Sequence, residues 1–259
     1  MPRIGIIGGS GFYSLLEDAR AVDIGTDYGK PSSEISVGSI GGTEVAFLAR
    51  HGTRHTLPPH KVPYKANIEA LARLGVERII STNAVGSLNA SYKPGDLALF
   101  DQFINATHGR DDTFFHGPKV VHVSLADPYC PEMRGIAMRH GMDHGTGTVM
   151  VVDGPRFSTR AESRRYASYA DMINMTQYPE VALAREKEIC YLGIGVVTDY
   201  DAGLEGGQGV KPVSYEEVKR RFAANNERLK SLISALVPKM PEGRSCPCPH
   251  ALDGAEVRA

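Results

Sequence analysis

Apolar runs of strand type alternate with amphipathic helical stretches along most of this chain. Such alternation predicts an α/β fold in which helices flank a largely parallel or mixed sheet. The predicted strands are Ile4 to Ile7, Val45 to Leu48, Val76 to Ser81, Leu97 to Ile104, Thr148 to Val152 and Tyr191 to Thr198. The predicted helices are Asn67 to Leu74, Glu162 to Ala170, Pro179 to Glu188 and, as one long helix, Tyr215 to Val237.

Length and charge narrow the class of protein. The 259 residues suffice for one domain with a sizeable core, which we place over residues 1–240, followed by a tail over 241–259. The net charge of −1 provides no field that would attract nucleic acid. No apolar run approaches the length of a membrane span, and no signal-peptide pattern is present. We expect a cytoplasmic protein with no nucleic-acid or membrane partner.

The four cysteines are not predicted to take part in the chemistry. Cys130 and Cys190 lie in well-patterned segments and are expected to be small core residues. Cys246 and Cys248 belong to the tail, which we expect to be exposed. Together with His250 they are too few ligands for a metal site, and a Cys-x-Cys redox pair or disulfide is the alternative.

Two carboxylates follow the last predicted strand, within Thr198-Asp199-Tyr200-Asp201. Residues at i and i+2 of a strand face the same side, so Asp199 and Asp201 would both point into a cleft at the strand end. An acidic pair there suits a ligand with ring N–H or amino groups, as a purine base has, or acid catalysis. Capping of the next turn is the alternative interpretation.

Four segments at or near strand ends supply groups that can bind an anion. The loop Gly8-Gly9-Ser10-Gly11 offers backbone N–H groups and a hydroxyl. Arg50 offers a planar fork for phosphate oxygens, and His51 beside it a further donor. Asn83-Ala84 lies in a small-residue break after a buried strand, and Thr176 precedes a helix. Structural turns, a solvated basic loop and a helix cap are the competing interpretations.

The segment Gly154-Pro155-Arg156-Phe157-Ser158 also follows a strand. Phe157 could stack on a flat base, with Ser158 beside it. Alternatively, Phe157 is a core residue and Arg156 pairs with Glu162.

Together these segments resemble those of the 5'-methylthioadenosine phosphorylases, within the trimeric purine nucleoside phosphorylase family. The resemblance covers most of the chain, from about Ile4 to about Val237. Its most specific segments are Ile6 to Phe12, Leu48 to Gly52, Asn83 to Leu88, Asp127 to Pro131, Gly154 to Ser163, Asn174 to Thr176 and Thr198 to Asp201. It implies a single α/β domain whose central mixed sheet is partly barrel-like.

The resemblance also implies a role for each matching residue. The residues implied for phosphate are Ser10, Arg50, His51, Asn83, Ala84 and Thr176. Met175 is implied for the ribose. The residues implied for the base are Phe157, Ser158, Asp199 and Asp201. Those implied for the 5'-substituent are Tyr215, Val218 and, from a neighbouring subunit, His122. The subunits would form a homotrimer or a dimer of trimers.

The implied reaction is phosphorolysis of S-methyl-5'-thioadenosine to adenine and 5-methylthioribose 1-phosphate, a step of purine and methionine salvage. Inorganic phosphate is the co-substrate and nucleophile, so we expect no metal and no organic cofactor. Asp199, with a pKa raised by burial, would donate a proton to N7 of the leaving base. Asp201 would accept a hydrogen bond from the 6-amino group.

Three other functions remain open from the sequence. The nearest is a 6-oxopurine nucleoside phosphorylase that acts on inosine, guanosine or 5'-methylthioinosine. A nucleotide-dependent dehydrogenase would use the glycine loop, but the loop fits G-x-G-x-x-G poorly and no acidic strand end follows about 20 residues later. A nucleoside-binding protein without catalysis would bind the nucleoside and consume no phosphate.

Overall fold

A computed structural model describes residues 1–202 and 213–257, without the side chain of Ser10. The strands are β1 (Ile4–Gly8), β2 (Glu17–Val22), β3 (Ile35–Ile40), β4 (Thr43–Ala49), β5 (Arg78–Ser87), β6 (Leu97–Leu99), β7 (Gln102–Ala106), β8 (Thr148–Val152), β9 (Met172–Asn174) and β10 (Cys190–Asp199). The α-helices are α1 (Tyr64–Arg73), α2 (Pro131–Met138), α3 (Arg160–Tyr166), α4 (Gln177–Glu186), α5 (Tyr215–Ala224) and α6 (Asn226–Leu236). In these two ranges no helix has both the length and the apolar character that a membrane crossing requires.

The ten strands form one mixed sheet, which confirms the predicted α/β fold. β1 pairs in parallel with β4 and β5, and β5 pairs in parallel with β10. β2 and β3 extend the sheet beyond β4, while β9, β8 and β7 extend it from the far end of β5. The sheet branches at β5, and among the described strands it is not closed.

Helices cover both faces of the sheet because successive side chains of a strand point to opposite faces. On β4, Ala46 and Leu48 belong to a core cluster that includes residues of α1 and α4. Val45 and Phe47, which alternate with them, belong to a second cluster with residues of α2 and α6.

The carboxyl ends of β1, β4, β5 and β10 meet at one edge of the sheet, because these four strands run parallel. The glycine loop follows β1, Arg50 follows β4, and Asp199 ends β10. Open α/β sheets bind their ligands at this edge. The topology therefore brings the predicted site segments together from distant parts of the chain.

Three predicted elements differ in the structure. The small-residue segment after Ser81 is not a break: β5 continues to Ser87 because β10 and β9 pair with it there. The strand predicted over Leu97 to Ile104 is two strands, because β6 pairs with β10 and β7 pairs with β8. The long C-terminal helix is interrupted at Asn225, whose side-chain amide donates to the carbonyl of Arg221 at 3.0 Å.

The expectation of an exposed C-terminal tail is wrong. Cys246 and Cys248 are 7% and 2% exposed, and they join the core cluster that contains Cys130 and Cys190. The segment is held by hydrogen bonds near both ends: the Arg244 side chain donates from Nη1 to the carbonyl of Glu188, and the backbone at Glu256 pairs with that at Val121. The expectation that Cys130 and Cys190 are core residues is confirmed.

We predict that Gly193→Ala destabilises the fold. A Cβ at Gly193, on β10, would lie 2.4 Å from Phe100 Cδ2 and 2.8 Å from Gln177 Oε1. Such overpacking costs about 1–3 kcal/mol, which urea unfolding at a fixed protein concentration would measure. Gly135→Ala, in α2, is the control because no atom lies within 4 Å of its added Cβ. Equal unfolding midpoints for the two variants would contradict the prediction.

Candidate active site

A cavity of about 920 Å³ opens at the carboxyl edge of the sheet. The predicted site residues that line it are Arg50, His51, Asn83, Ala84, Phe157, Ser158, Met175, Thr176, Asp199, Asp201, Tyr215 and Val218. The side chain of Ser10 lies outside the described part of the chain, although Gly9 and Gly11 on either side of it also line the cavity. His122 is exposed and is not among the lining residues of its own chain.

A buried ion pair between Arg50 and Glu180 forms the floor of the site. Arg50 is 3% exposed, and the Glu180 carboxylate accepts two hydrogen bonds along one edge of its guanidinium, from Nε to Oε2 at 2.7 Å and from Nη2 to Oε1 at 2.8 Å. Nη1 also donates to the Thr82 carbonyl at 2.9 Å, and Nη2 to Ser81 Oγ at 2.6 Å. The planar fork is therefore occupied by protein, and one N–H of Nη1 is left for a ligand.

Glu180 is the residue that the sequence reasoning missed most clearly. It lies on α4, is wholly buried, and also accepts hydrogen bonds from Tyr191 Oη at 2.6 Å and Ser81 Oγ at 3.1 Å. Burial alone would lower the pKa of the Arg50 guanidinium. The charge and hydrogen bonds of the Glu180 carboxylate outweigh this effect, so the pKa is raised. The sequence shows Glu180 only as one charge on a helix beginning at proline, which gives no sign of its partner.

His51 is neutral at pH 7. Burial, together with the charge of Arg50, lowers the pKa of its ring to about 4. Nδ1 lies 2.8 Å from the carbonyl oxygen of Leu57, so we assign the ring proton to Nδ1. Nε2 is then an acceptor, and it can donate, as the sequence suggested, only when the ring is protonated.

Polar side chains from β5 and the segment before α4 form the adjoining wall. Thr176 Oγ1 donates to Asn83 Oδ1 at 3.3 Å. Capping of the helix is done by Asn174 instead, whose Oδ1 accepts from the backbone N–H groups of Thr176 and Gln177 at 2.6 and 2.8 Å. The Thr176 hydroxyl is therefore not used as the helix cap.

Thr82, which the sequence reasoning passed over, also lines the cavity. Its hydroxyl oxygen is buried and has no hydrogen-bond partner. A Cβ at Gly8 would lie 2.6 Å from this oxygen, so glycine at that position keeps the space beside the hydroxyl open. A buried hydroxyl without a partner is available to bind a polar ligand.

Asp199 and Asp201 line the cavity by different local structures. Asp199 ends β10, and its carboxylate accepts from Thr198 Oγ1 at 2.7 Å and from the backbone N–H of Asp201 at 2.8 Å. Asp201 lies in a turn beyond the strand, with φ of 48°, so the expected strand alternation does not apply to it. Burial raises the pKa of Asp199 to about 6 and also raises that of Asp201.

Gly86 makes room for Asp199. A Cβ at this position on β5 would lie 2.9 Å from Asp199 Oδ1. Glycine at this position therefore lets the strand approach the carboxylate closely.

The segment after β8 also lines the cavity. Phe157 and Ser158 are half-buried and line the cavity, so Phe157 is not a core residue. Arg156 pairs with Glu162 at 2.7 Å, as the alternative interpretation expected. Tyr215 and Val218, from α5, face the cavity near its mouth, where Tyr215 is 56% exposed.

The family model for the phosphorylase superfamily matches residues 3–238. The chain belongs to this superfamily. An S-methyl-5'-thioadenosine phosphorylase of Pyrococcus abyssi is 52% identical over 257 residues, which cover 97% of this chain and 98% of the relative. A purine nucleoside phosphorylase of Streptomyces coelicolor is 46% identical over 270 residues, which cover 98% of this chain and 95% of the relative.

Solved structures of this superfamily share the fold. The crystal structure of a methylthioadenosine phosphorylase from an Antarctic soil metagenomic library has a TM-score of 0.92 and 42% sequence identity. The match covers 99% of this chain and 92% of that protein. The resemblance noted from the sequence is thus confirmed at the level of family and fold.

We predict that Asp199→Asn stabilises the protein at alkaline pH. The pKa of Asp199 is raised to about 6 in the folded state, so ionised Asp199 disfavours folding above pH 6. At pH 8 the free energy of unfolding of the variant should exceed that of the parent protein by about 1–3 kcal/mol. This difference should shrink as pH falls through 6 toward 4. Urea unfolding at several pH values measures this difference.

The control is Asp23→Asn, which removes an exposed carboxylate. Its effect should be small throughout the pH range. A gain for Asp199→Asn that stayed constant with pH would show that ionisation of this carboxyl is not its cause.

Proposed function

We propose that this chain catalyses phosphorolysis of S-methyl-5'-thioadenosine, forming adenine and 5-methylthioribose 1-phosphate. Membership of the phosphorylase superfamily supports the reaction class, and the Pyrococcus abyssi relative supports the substrate. The observation that carries the proposal is the carboxyl of Asp199, which lines the cavity with a pKa raised to about 6.

Asp199 stabilises the departing base. The transition state places positive charge on the sugar and negative charge on the purine, so a proton donor near N7 lowers the barrier. A carboxyl with a pKa near 6 is protonated often enough to donate and is acidic enough to do so readily.

Asp201 sets the preference for a 6-amino purine. Its Oδ2 is buried and has no hydrogen-bond partner, which leaves an acceptor that an exocyclic amine would satisfy. A 6-oxo group would place an acceptor against an acceptor, and such a buried mismatch costs about 1–3 kcal/mol.

Phosphate binds at the floor of the cavity, where its charge is met by Arg50. The free N–H of Arg50 Nη1 and the hydroxyl of Thr82 donate to its oxygens, and Thr176, whose hydroxyl bonds to Asn83, borders the same subsite. Neutral His51 accepts, at Nε2, a hydrogen bond from a P–O–H group of the phosphate. The backbone at Ser10 and the Asn83-Ala84 segment complete this subsite.

The rest of the cavity binds the sugar and its 5'-substituent. Met175 contacts the ribose, Phe157 and Ser158 adjoin the base, and Tyr215 and Val218 border the methylthio group. His122, which lies outside the cavity of its own chain, is supplied by a neighbouring subunit of a homotrimer or dimer of trimers. Phosphate is the nucleophile, so neither a metal nor an organic cofactor enters the chemistry. We also place the enzyme in the cytoplasm.

The second candidate is phosphorolysis of 6-oxopurine nucleosides. The Streptomyces coelicolor relative, 46% identical, is named a purine nucleoside phosphorylase, and that name is not restricted to adenine compounds. The choice between the candidates depends on Asp199 and Asp201.

The decisive experiment measures the free base released from methylthioadenosine, methylthioinosine and inosine, with and without phosphate. We expect adenine from methylthioadenosine only when phosphate is present, and a higher kcat/KM than for either 6-oxo nucleoside. Release without phosphate would indicate a hydrolase, binding without release would indicate a binding protein, and faster turnover of methylthioinosine would favour the second candidate.

We predict that the two acids have separable effects. Asp199→Asn removes the proton donor and should lower kcat by roughly 10²-fold or more. Asp201→Asn should lower the ratio of kcat/KM for methylthioadenosine over methylthioinosine by about 10-fold, since one buried acceptor is replaced. Steady-state kinetics of both variants, with Asp23→Asn as control, provide the comparison. Small and equal effects would remove the pair from the site.

A further inference from the structure

Four buried thiols meet at a point outside the active-site cavity. The Sγ atoms of Cys130, Cys190, Cys246 and Cys248 all lie within 4.8 Å of one another. The Sγ atoms of Cys190 and Cys246 lie 3.4 Å apart. None of the four lines the cavity, and the proposed reaction uses none of them.

The four cysteines come from three separate parts of the fold. Cys130 is the residue before α2, Cys190 is the first residue of β10, and Cys246 and Cys248 lie in the C-terminal segment. The sequence reasoning counted only the last two with His250 and found too few ligands. The fold supplies the missing two, and His250 is exposed and contacts Asp253 instead.

We propose that these four thiolates bind one zinc-class divalent cation in tetrahedral geometry. A zinc–sulfur bond of about 2.3 Å places the sulfurs of a tetrahedral site about 3.8 Å apart. The Cys190–Cys246 separation of 3.4 Å is shorter than that value and no separation exceeds 4.8 Å, so binding requires shifts of about 1 Å or less. Four soft sulfur ligands with no open position are typical of a structural zinc site.

The surroundings can bear the negative charge of such a site. A dication with four thiolates carries a net charge of −2, and Arg185 Nη1 lies 3.6 Å from Cys248 Sγ. The Nε of Arg185 is buried and has no hydrogen-bond partner. Cys130 also stands at the N-terminus of α2, where the helix dipole favours an anionic sulfur.

The bound cation would fasten the C-terminal segment to the sheet. Beyond the cysteines, this segment pairs with the chain near Val121: the His122 N–H donates to the Ala255 carbonyl at 2.9 Å, and the Val257 N–H to the Val120 carbonyl at 3.0 Å. The cation therefore helps to position the backbone that carries His122. Only this last consequence rests on the proposed function, because metal binding itself does not require it.

The test is a titration of the full-length, fully reduced protein with Co²⁺ under anaerobic conditions. We expect saturation at about one ion per chain, with the visible and near-ultraviolet bands of tetrahedral cobalt thiolate, and displacement by Zn²⁺. Protein purified without chelator should contain zinc by elemental analysis and should yield four free thiols after denaturation in chelator without reductant. Absence of the cobalt bands, or recovery of the purified protein as metal-free disulfides, would overturn the proposal.

Two variants locate the ligands. Cys248→Ser should weaken Co²⁺ binding by at least 10-fold and lose the four-sulfur charge-transfer intensity. His250→Ala, two residues away, should keep both, and a loss in this variant would contradict the assigned ligand set. Should Cys248→Ser fail to fold, the cobalt spectrum and thiol count of the parent protein still decide the question. Asp199→Asn should bind the ion normally, which separates this result from the outcome of the catalytic tests.

Discussion

The buried pair of Arg50 and Glu180 is the interaction on which the site depends. It joins the end of β4 to α4, and its hydrogen bonds extend to β5 through Ser81 and to β10 through Tyr191. Removing one member of such a pair leaves an uncompensated buried charge, at a cost of about 3–5 kcal/mol. Because the Glu180 carboxylate bonds to both Nε and Nη2, the guanidinium of Arg50 cannot rotate to follow a ligand. It provides one fixed donor and a fixed positive charge at the floor of the cavity.

That fixed charge also affects the protonation of His51, whereas burial determines that of Asp199. Arg50 adds to the burial that keeps His51 neutral, so in the proposed phosphate subsite this histidine offers an unprotonated nitrogen rather than a second positive charge. Asp199, which also lines the cavity, keeps its proton to a higher pH than a free carboxyl does, because burial outweighs the two hydrogen bonds that favour its ionised form. The same desolvation that suits Asp199 to its proposed role as a proton donor makes its ionised form costly to the folded state. Stability and activity therefore oppose each other at this residue.

The sequence could predict where the site lies better than how it is connected. Segments that follow parallel strands must meet at one edge, so Arg50 and Asp199 could be grouped from order and pattern alone. Thr176 follows β9, which runs antiparallel to β5, so its place at this edge required the structure. Glu180 could not be grouped with them either, because its role comes from the packing of α4 against the sheet. The break at Asn225 was missed for a similar reason: hydrophobic spacing continues through it, and only a local side-chain bond to the backbone ends the helix.

The two ends of β10 belong to different sites: one lies at the cavity and the other at the cysteine cluster. Asp199 ends the strand at the cavity, and Cys190 begins it beside the other three cysteines. Ten residues of extended chain separate these ends by about 30 Å. The cysteine cluster is therefore too distant to act directly on a substrate in the cavity. Its effect must pass through the rigid strand or through the C-terminal segment, and the second route ends at the backbone of His122, which the proposed trimer places in a neighbour's cavity.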